Sequence, residues 1–318
     1  MQPFVSVVIP SYMRAEMLHA CLLKLNAQTM DRKQFEVIVV DDDSPNALQK
    51  KEENPPGQFD YGLIYYIQEK GGPAKARNKG VELATSDIIV FLDDDTLPSS
   101  TWLENLYIAM QNDVWSGVGG MTFNVRNKTM SEKLLEHVEH LHHPIDPKTG
   151  EVIFLVTVNA AFRKKDFLSV GGFDENFKLP SGEDMELGFR MRKQGFRFSI
   201  CETAIIHHHQ RDTLRAMFKN WYEYGKGMYR CQLKHKDFLD QLDPHADTGL
   251  LNRKKLKNHA AKYFELYRSM WKDPNIGFFS TLILPNIHFF NFLCFVWGRK
   301  HEMAVLKAKN IGEMSGMK

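Results

Sequence analysis

The first half of the chain alternates short apolar runs with amphipathic stretches. Phe4 to Ile9 (FVSVVI) reads as a buried strand, after which Leu18, Cys21, Leu22 and Leu25 recur at helical spacing. Glu36 to Val40 and Tyr61 to Ile67 predict two more strands, the second leading through a glycine turn into the helical stretch PAKARNKGVELA. Asp87 to Leu92 predicts a fourth strand and Trp102 to Met110 a helix. Strands alternating with helices in this way predict a parallel, doubly wound α/β sheet, in which ligands gather at the carboxyl ends of the strands. Two aspartate triplets, Asp41 to Asp43 and Asp93 to Asp95, fall at such ends.

From Gly117 onward the pattern changes. Longer strands are expected at Val118 to Val125 and Val152 to Phe162, as a mixed second half of the same sheet. A polar stretch with Pro144 and Pro147 separates them, and its histidines, His137, His140, His142 and His143, read as a polar helix surface and loop. A loop then leads to a helix from about Glu183 to Lys193 and a strand from Phe196 to Cys201. Beyond Arg211 the chain reads as helical and rich in Lys, Tyr and Phe, with a polar linker near Asp243 to Thr248. Ile276 to Trp297 is almost long enough to span a bilayer, but Pro285, Asn286, His288 and Asn291 interrupt it. Two short helices, packed on the protein or lying at a membrane interface, are expected there instead.

Composition narrows the function classes. The 41 Lys and Arg nearly balance 39 Asp and Glu, so nothing points to a nucleic-acid partner. The four cysteines form no CxxC pair, which disfavours a zinc knuckle or a disulfide framework and predicts reduced, mostly buried thiols. The opening MQPFVSVVIPSY lacks the basic region and long apolar stretch of a secretory signal, so a cytoplasmic protein is expected.

The chemistry concentrates in the aspartates. Three adjacent carboxylates ending an apolar strand repel one another unless a cation or hydrogen-bond donors compensate them. Carboxylate oxygens suit Mg²⁺ or Mn²⁺, and such ions keep few protein ligands while substrate phosphates and water complete the shell, so a metal-bound diphosphate is implied. Capping of the Trp102 helix explains Ser99 or Ser100 but not three successive aspartates. The first triplet, with Ser44 and Pro45, also reads as an ordinary turn; beside Pro10, Ser11 and Tyr12 it makes a pocket suited to a nucleobase. In GGPAKARNKG, Lys75 and Arg77 can direct positive charge toward phosphate or sugar. This is not the GxGxxG fingerprint, so a dinucleotide-binding dehydrogenase is poorly supported.

The stretches VSVVIPSYMR, VIVVDDDSP, GGPAKARNKGVELATSDIIVFLDDDTLP, GGFDENF and GEDMELGFRMRKQG, in this order over most of residues 4–210, resemble the family 2 glycosyltransferases. The resemblance implies a GT-A fold, a Rossmann-like mixed sheet. It also implies transfer of a sugar from a nucleotide-diphosphate donor to an acceptor hydroxyl with inversion. The implied organisation is a catalytic domain over residues 1–210, with a nucleotide-binding half (1–115) and an acceptor half (116–210), followed by a helical extension over 211–318. It places Pro10, Tyr12 (stacking), Arg14, Asp42 (base hydrogen bond), Arg77, Asp93 and Asp94 on the donor. Asp93 and Asp95 form its DxD motif, with Asp95 the preferred ligand of Mn²⁺ or Mg²⁺, and His207 or His209 is expected to approach that metal.

The general base of the family corresponds to Asp184, after Glu183. The start of a helix would keep this carboxylate ionised, as proton acceptance requires, although Glu183 and Asp184 could equally just complement the helix dipole. The donor is expected to be UDP-linked rather than GDP-linked, and the acceptor a glycan, a lipid-linked molecule or a small molecule. Trp221, Tyr222, Tyr224 and Tyr229, interleaved with Lys219, Lys226 and Arg230, are expected to pack on the core, with peripheral membrane contact as the other use of such a surface. Two other readings stay open: a sugar nucleotidyltransferase, whose glycine- and lysine-rich loop VSVVIPSYMR lacks, and a donor-binding scaffold without catalysis.

Overall fold

The computed structural model describes residues 3–45, 59–138, 141–242 and 278–315, together with Glu265 and Arg268. The predicted linker at Asp243 to Thr248, His140, and the first two residues of the apolar segment, Ile276 and Gly277, lie outside the described residues. The residues form two compact units, one comprising Met1–Val125 with Leu141–His209, the other Arg126–His140 with Gln210–Lys318.

The first unit is built on one eight-stranded sheet. In chain order its strands are β1 (Val5–Ser11), β2 (Phe35–Asp41), β3 (Gly62–Ile67), β4 (Ile88–Leu92), β5 (Thr96–Pro98), β6 (Gly117–Asn124), β7 (Asn159–Arg163) and β8 (Phe198–His208). Their spatial order is β3-β2-β1-β4-β7-β6-β8-β5. Strands β3, β2, β1 and β4 run parallel, β7 is antiparallel to β4 and β6, and β8 is parallel to β6. The helices of this unit are α1 (Ala15–Asn26), α2 (Pro73–Leu83), α3 (Trp102–Ala109), α5 (Lys164–Ser169) and α6 (Glu183–Lys193).

Both sheet faces are covered, and for that reason β1, β2 and β4 are apolar at nearly every position rather than at alternate ones. Val7, Ile9, Val37, Val39 and Val90 pack with Leu18, Leu22, Trp102 and Leu106 on one side. Val8, Ile38, Val40, Ile89 and Phe91 pack with Ala76, Val81, Phe162, Phe167 and Leu187 on the other.

One buried polar residue shapes the second half of the sheet. Asn159 is fully buried; its Oδ1 accepts from Trp102 Nε1 at 2.8 Å, and its Nδ2 donates to Met121 O at 3.0 Å and Ala204 O at 3.1 Å. The register between β6 and β8 slips between Gly120 and Met121, so Gly120 faces Cys201 while Met121 faces Ile205. Asn159 satisfies the carbonyls that this irregularity releases. A Cβ at Gly120 would lie 2.2 Å from Ala204 O, so the backbones approach here only because position 120 has no side chain.

Three expectations are corrected. The run Val152 to Phe162 is not one strand: a turn in which Asn159 N donates to Val156 O breaks it, and only Asn159–Arg163 joins the sheet. Leu155 and Val158 are buried all the same, so their hydrophobicity reports burial without strand pairing. His143 is no surface residue: its Nε2 lies 2.9 Å from Gly120 O and its Nδ1 accepts from Val156 N. Burial pushes its pKa down to about 4. The apolar segment is not two short helices but part of one, α9 (Phe278–Ser315), which runs through Pro285.

The second unit contains α4 (Met130–His137), α7 (Leu214–Lys234), α8 (Lys236–Leu242) and α9. Leu284 and Ile287, on either side of Pro285, pack with Leu134, Leu135 and Met217, and this burial supports the helix across the proline. Helices α7 and α9 touch backbone to backbone: a Cβ at Gly225 would lie 2.0 Å from Phe295 O, and one at Gly298 1.9 Å from Tyr222 O. Arg230 Nε donates to the buried Glu302 at 2.6 Å across the same pair. The aromatic set on α7 is engaged with α9, through contacts of Trp221 with Phe295 and of Tyr222 with Trp297. Phe290 and Trp297 of α9 are exposed. Among the described residues no helix is long and apolar enough to cross a membrane.

The substitution Asn159→Ala is expected to destabilise the protein by about 2–3 kcal/mol, because it strands Trp102 Nε1 and the Met121 and Ala204 carbonyls. Denaturant unfolding measures this, and a change near zero would contradict the role given to Asn159.

Candidate active site

The second aspartate triplet occupies a tight turn between β4 and the short β5. Thr96 Oγ1 donates to Asp93 O at 2.7 Å. Helix α3 begins at Trp102 after Thr101 with no side-chain cap, so none of these aspartates caps it. Strand β5 pairs antiparallel with β8, placing Thr96 opposite His208, and His209 N donates to Asp95 O at 2.9 Å. The register brings His208 Nε2 to 3.1 Å from Asp95 Oδ1. Asp93, Asp95 and His208 each offer one ligand atom, all within 4.8 Å of one another.

Two arginines answer the negative charge. Arg14, at the start of α1, places Nη1 2.9 Å from Asp94 Oδ1 and 2.6 Å from Asp95 Oδ2. Asp94 Oδ2 accepts from Ser11 Oγ at 2.8 Å. Burial, reinforced by Asp95, nonetheless pushes the Asp94 carboxyl up to about 6 against the pull of Arg14. Arg77, on α2, is buried and bonded at both ends: Nη2 donates to Asp93 Oδ1 at 2.8 Å and Nη1 to Glu183 Oε1 at 3.1 Å. Burial opposes the charge of each guanidinium, but Asp95 and Asp94 hold Arg14, and Asp93 and Glu183 hold Arg77, above the ordinary value.

Glu183 and Asp184 open α6, whose preceding Gly182 has φ 84°, a left-handed conformation that glycine adopts without strain. Burial, then the neighbouring Asp184, pushes Glu183 up to about 7, while Arg77 opposes the rise. Asp184 is raised by burial, against the Met185 N–H, which donates to its Oδ1 at 2.8 Å. The chain Asp93–Arg77–Glu183 thus fixes the aspartate turn to the helix that carries Asp184.

At the carboxyl ends of the neighbouring strands β1 and β2, Pro10 lies in β1 opposite Val40, and Tyr12 is exposed beyond it. Lys70 Nζ donates to the Tyr12 hydroxyl at 2.7 Å and lies 4.2 Å from its ring centroid. Asp42 is buried and accepts from Gln68 Nε2 at 2.7 Å and from the Gly71 and Gly72 amides at 2.7 and 2.9 Å. It therefore fixes the loop entering α2.

The geometry places two of the expected groups in particular surroundings. His208, rather than His207, brings its ring to the aspartates, and His209 meets Asp95 through its backbone N–H. Alternation along β8 puts His208 on the face of the buried Ala204 and Ile206, while the His207 ring lies tilted against Phe123 with 6.4 Å between ring centroids. Arg77 does not reach outward toward phosphate, because its two charged bonds are internal. Sequence reasoning missed Glu183 as the acceptor for Arg77. A buried ion pair joining positions 77 and 183 leaves no signal in local spacing.

Comparison with known proteins gives the family and the fold. Residues 6–171 match the profile of glycosyl transferase family 2, and the chain belongs to that family. It is 28% identical over 226 residues to the glycosyltransferase AglE of Haloferax volcanii, covering 71% of this chain and 73% of that one. It spans about half the length of other curated relatives, 48% and 54%. Among solved structures, the mannosyltransferase PcManGT from Pyrobaculum calidifontis, in complex with GDP-Man and Mn²⁺, has a TM-score of 0.53 at 17% identity, over 98% of this chain and 76% of that one. S. aureus TarS 1-349, in complex with UDP, has a TM-score of 0.51 at 16% identity, over 93% and 90%. These likenesses establish the GT-A fold with a C-terminal helical part, and the enzyme class is that of a glycosyltransferase.

In the presence of UDP, His208→Ala is expected to weaken Mn²⁺ binding by at least roughly tenfold. His207→Ala should leave it unchanged. Mn²⁺ titration by electron paramagnetic resonance checks both, and equal effects of the two substitutions would contradict the assignment.

Proposed function

We propose that the protein transfers a sugar from a nucleotide-diphosphate donor, UDP-linked in preference to GDP-linked, to an acceptor hydroxyl with inversion. The observation that carries this reading is the Asp93–Arg77–Glu183 chain, which holds the aspartate turn and the start of α6 in one fixed relation. A donor diphosphate and an attacking hydroxyl must be held together in this way for in-line displacement. The donor set fits a divalent cation: two carboxylate oxygens suit Mg²⁺ or Mn²⁺, and an imidazole nitrogen moves the preference toward Mn²⁺. Such an ion supplies positive charge to the departing diphosphate.

In this reading Asp184 accepts the proton of the acceptor hydroxyl. The acceptor oxygen forms its bond to the anomeric carbon as the bond to the diphosphate breaks, and the nucleoside diphosphate leaves. No covalent enzyme intermediate is required. Pro10, Tyr12 and Asp42 bound the nucleobase end, and Asp42, with two backbone amides and Gln68 already bound, retains room for one further donor. The acceptor class is a glycan, a lipid-linked molecule or a small molecule.

A donor-hydrolysis screen over UDP-, GDP- and dTDP-sugars with Mn²⁺ tests the reading. Activity on a UDP-sugar is expected, falling at least about a hundredfold in Asp95→Ala and Asp184→Asn. Activity on none of the donors, or activity indifferent to Asp95→Ala, would overturn it.

A further inference from the structure

The two arginines at the aspartate turn are held differently. Arg77 is buried and bridges two carboxylates on separate elements. The side chain of Arg14 is 30% exposed, and its only side-chain bonds among the described residues run to Asp94 and Asp95. It makes no cap bond at the start of α1. Arg77 cannot leave without stranding buried charge, whereas Arg14 can turn outward and remain solvated.

Arg14 also occupies a charged position that a divalent cation would share. Its Nη1 lies 2.6 Å from Asp95 Oδ2, while the other oxygen of the same carboxylate faces His208. Any cation held by Asp93, Asp95 and His208 is therefore close to a fixed positive charge, and the two repel. The natural competitor for the guanidinium is a diphosphate, which it can bind in a forked, charge-assisted manner.

We propose that Arg14 is a resident counter-ion that excludes a free divalent cation from Asp95 and yields the carboxylate when a nucleoside diphosphate takes up its guanidinium. Metal and donor then bind as a coupled pair, each raising the affinity of the other by the same factor. This rests on the metal-binding reading of Asp93, Asp95 and His208. Arg14 acts through Asp95 and is a positioning residue in this role.

The test is Mn²⁺ titration of the full chain by electron paramagnetic resonance, with and without UDP, for the wild type, Arg14→Gln, Arg14→Lys and Asp95→Asn. Without UDP, Arg14→Gln is expected to bind Mn²⁺ on the order of tenfold more tightly than the wild type. Arg14→Lys, which keeps the charge but cannot present the fork, should lie between them and guards against a folding artefact. UDP should raise the Mn²⁺ affinity of the wild type by a larger factor than that of Arg14→Gln. If Mn²⁺ binding depends on Asp95 but is equal or weaker in Arg14→Gln, the counter-ion role is overturned while the metal site stands. If Mn²⁺ binding is absent, or indifferent to Asp95→Asn, both fall together.

Discussion

Everything at the carboxyl end of the sheet depends on neutralising one crowd of carboxylates. Asp93, Asp94 and Asp95 follow one another without a break, and Glu183 and Asp184 open a nearby helix. Burial pushes the carboxyls of Asp94 and Glu183 up from the ordinary range. Two arginines divide the load. Arg77 serves Asp93 and Glu183 from within the protein, and Arg14 serves Asp94 and Asp95 from its edge. The internal arginine makes geometry permanent, and the peripheral one leaves charge available for exchange.

The rest of the sheet delivers the remaining pieces to this point. Asn159 holds the slipped register between β6 and β8, and β8 in turn pairs antiparallel with β5, with Thr96 opposite His208. That register sets His208 beside Asp95. Asp42 likewise sets the loop before α2, and α2 carries Arg77. Structural polar residues thus control the placement of the groups that face a ligand, a usual division between precise scaffolds and the chemistry they carry.

Much of this was legible in the sequence, because the parallel strands are buried on both faces and announce themselves as unbroken apolar runs. The helix expected from about Glu183 to Lys193 is α6. The DDD turn was recognisable as a charge problem before any fold was known. What escaped depended on long-range register. Ile205 and Ile206 are both apolar, so alternation along β8 could not say which face its histidines shared, and pairing with β5 decided for His208. The run ending at Phe162 looked like one strand because Leu155 and Val158 are buried; only the turn at Val156–Asn159 shows that core residues need not be paired. His143 read as part of a polar surface and loop and Asn159 lay unremarked within an expected strand, and the roles of both follow from backbone atoms far away in the chain.

In the proposed function the aspartate turn and His208 form a metal and diphosphate site at the end of the sheet. Its most direct measurement is a crystal structure with UDP and Mn²⁺, using anomalous scattering at the manganese edge. The account predicts one anomalous peak in contact with Asp95 and His208, with the diphosphate of UDP bound to the same ion. A UDP complex whose manganese lies away from Asp95 would contradict it.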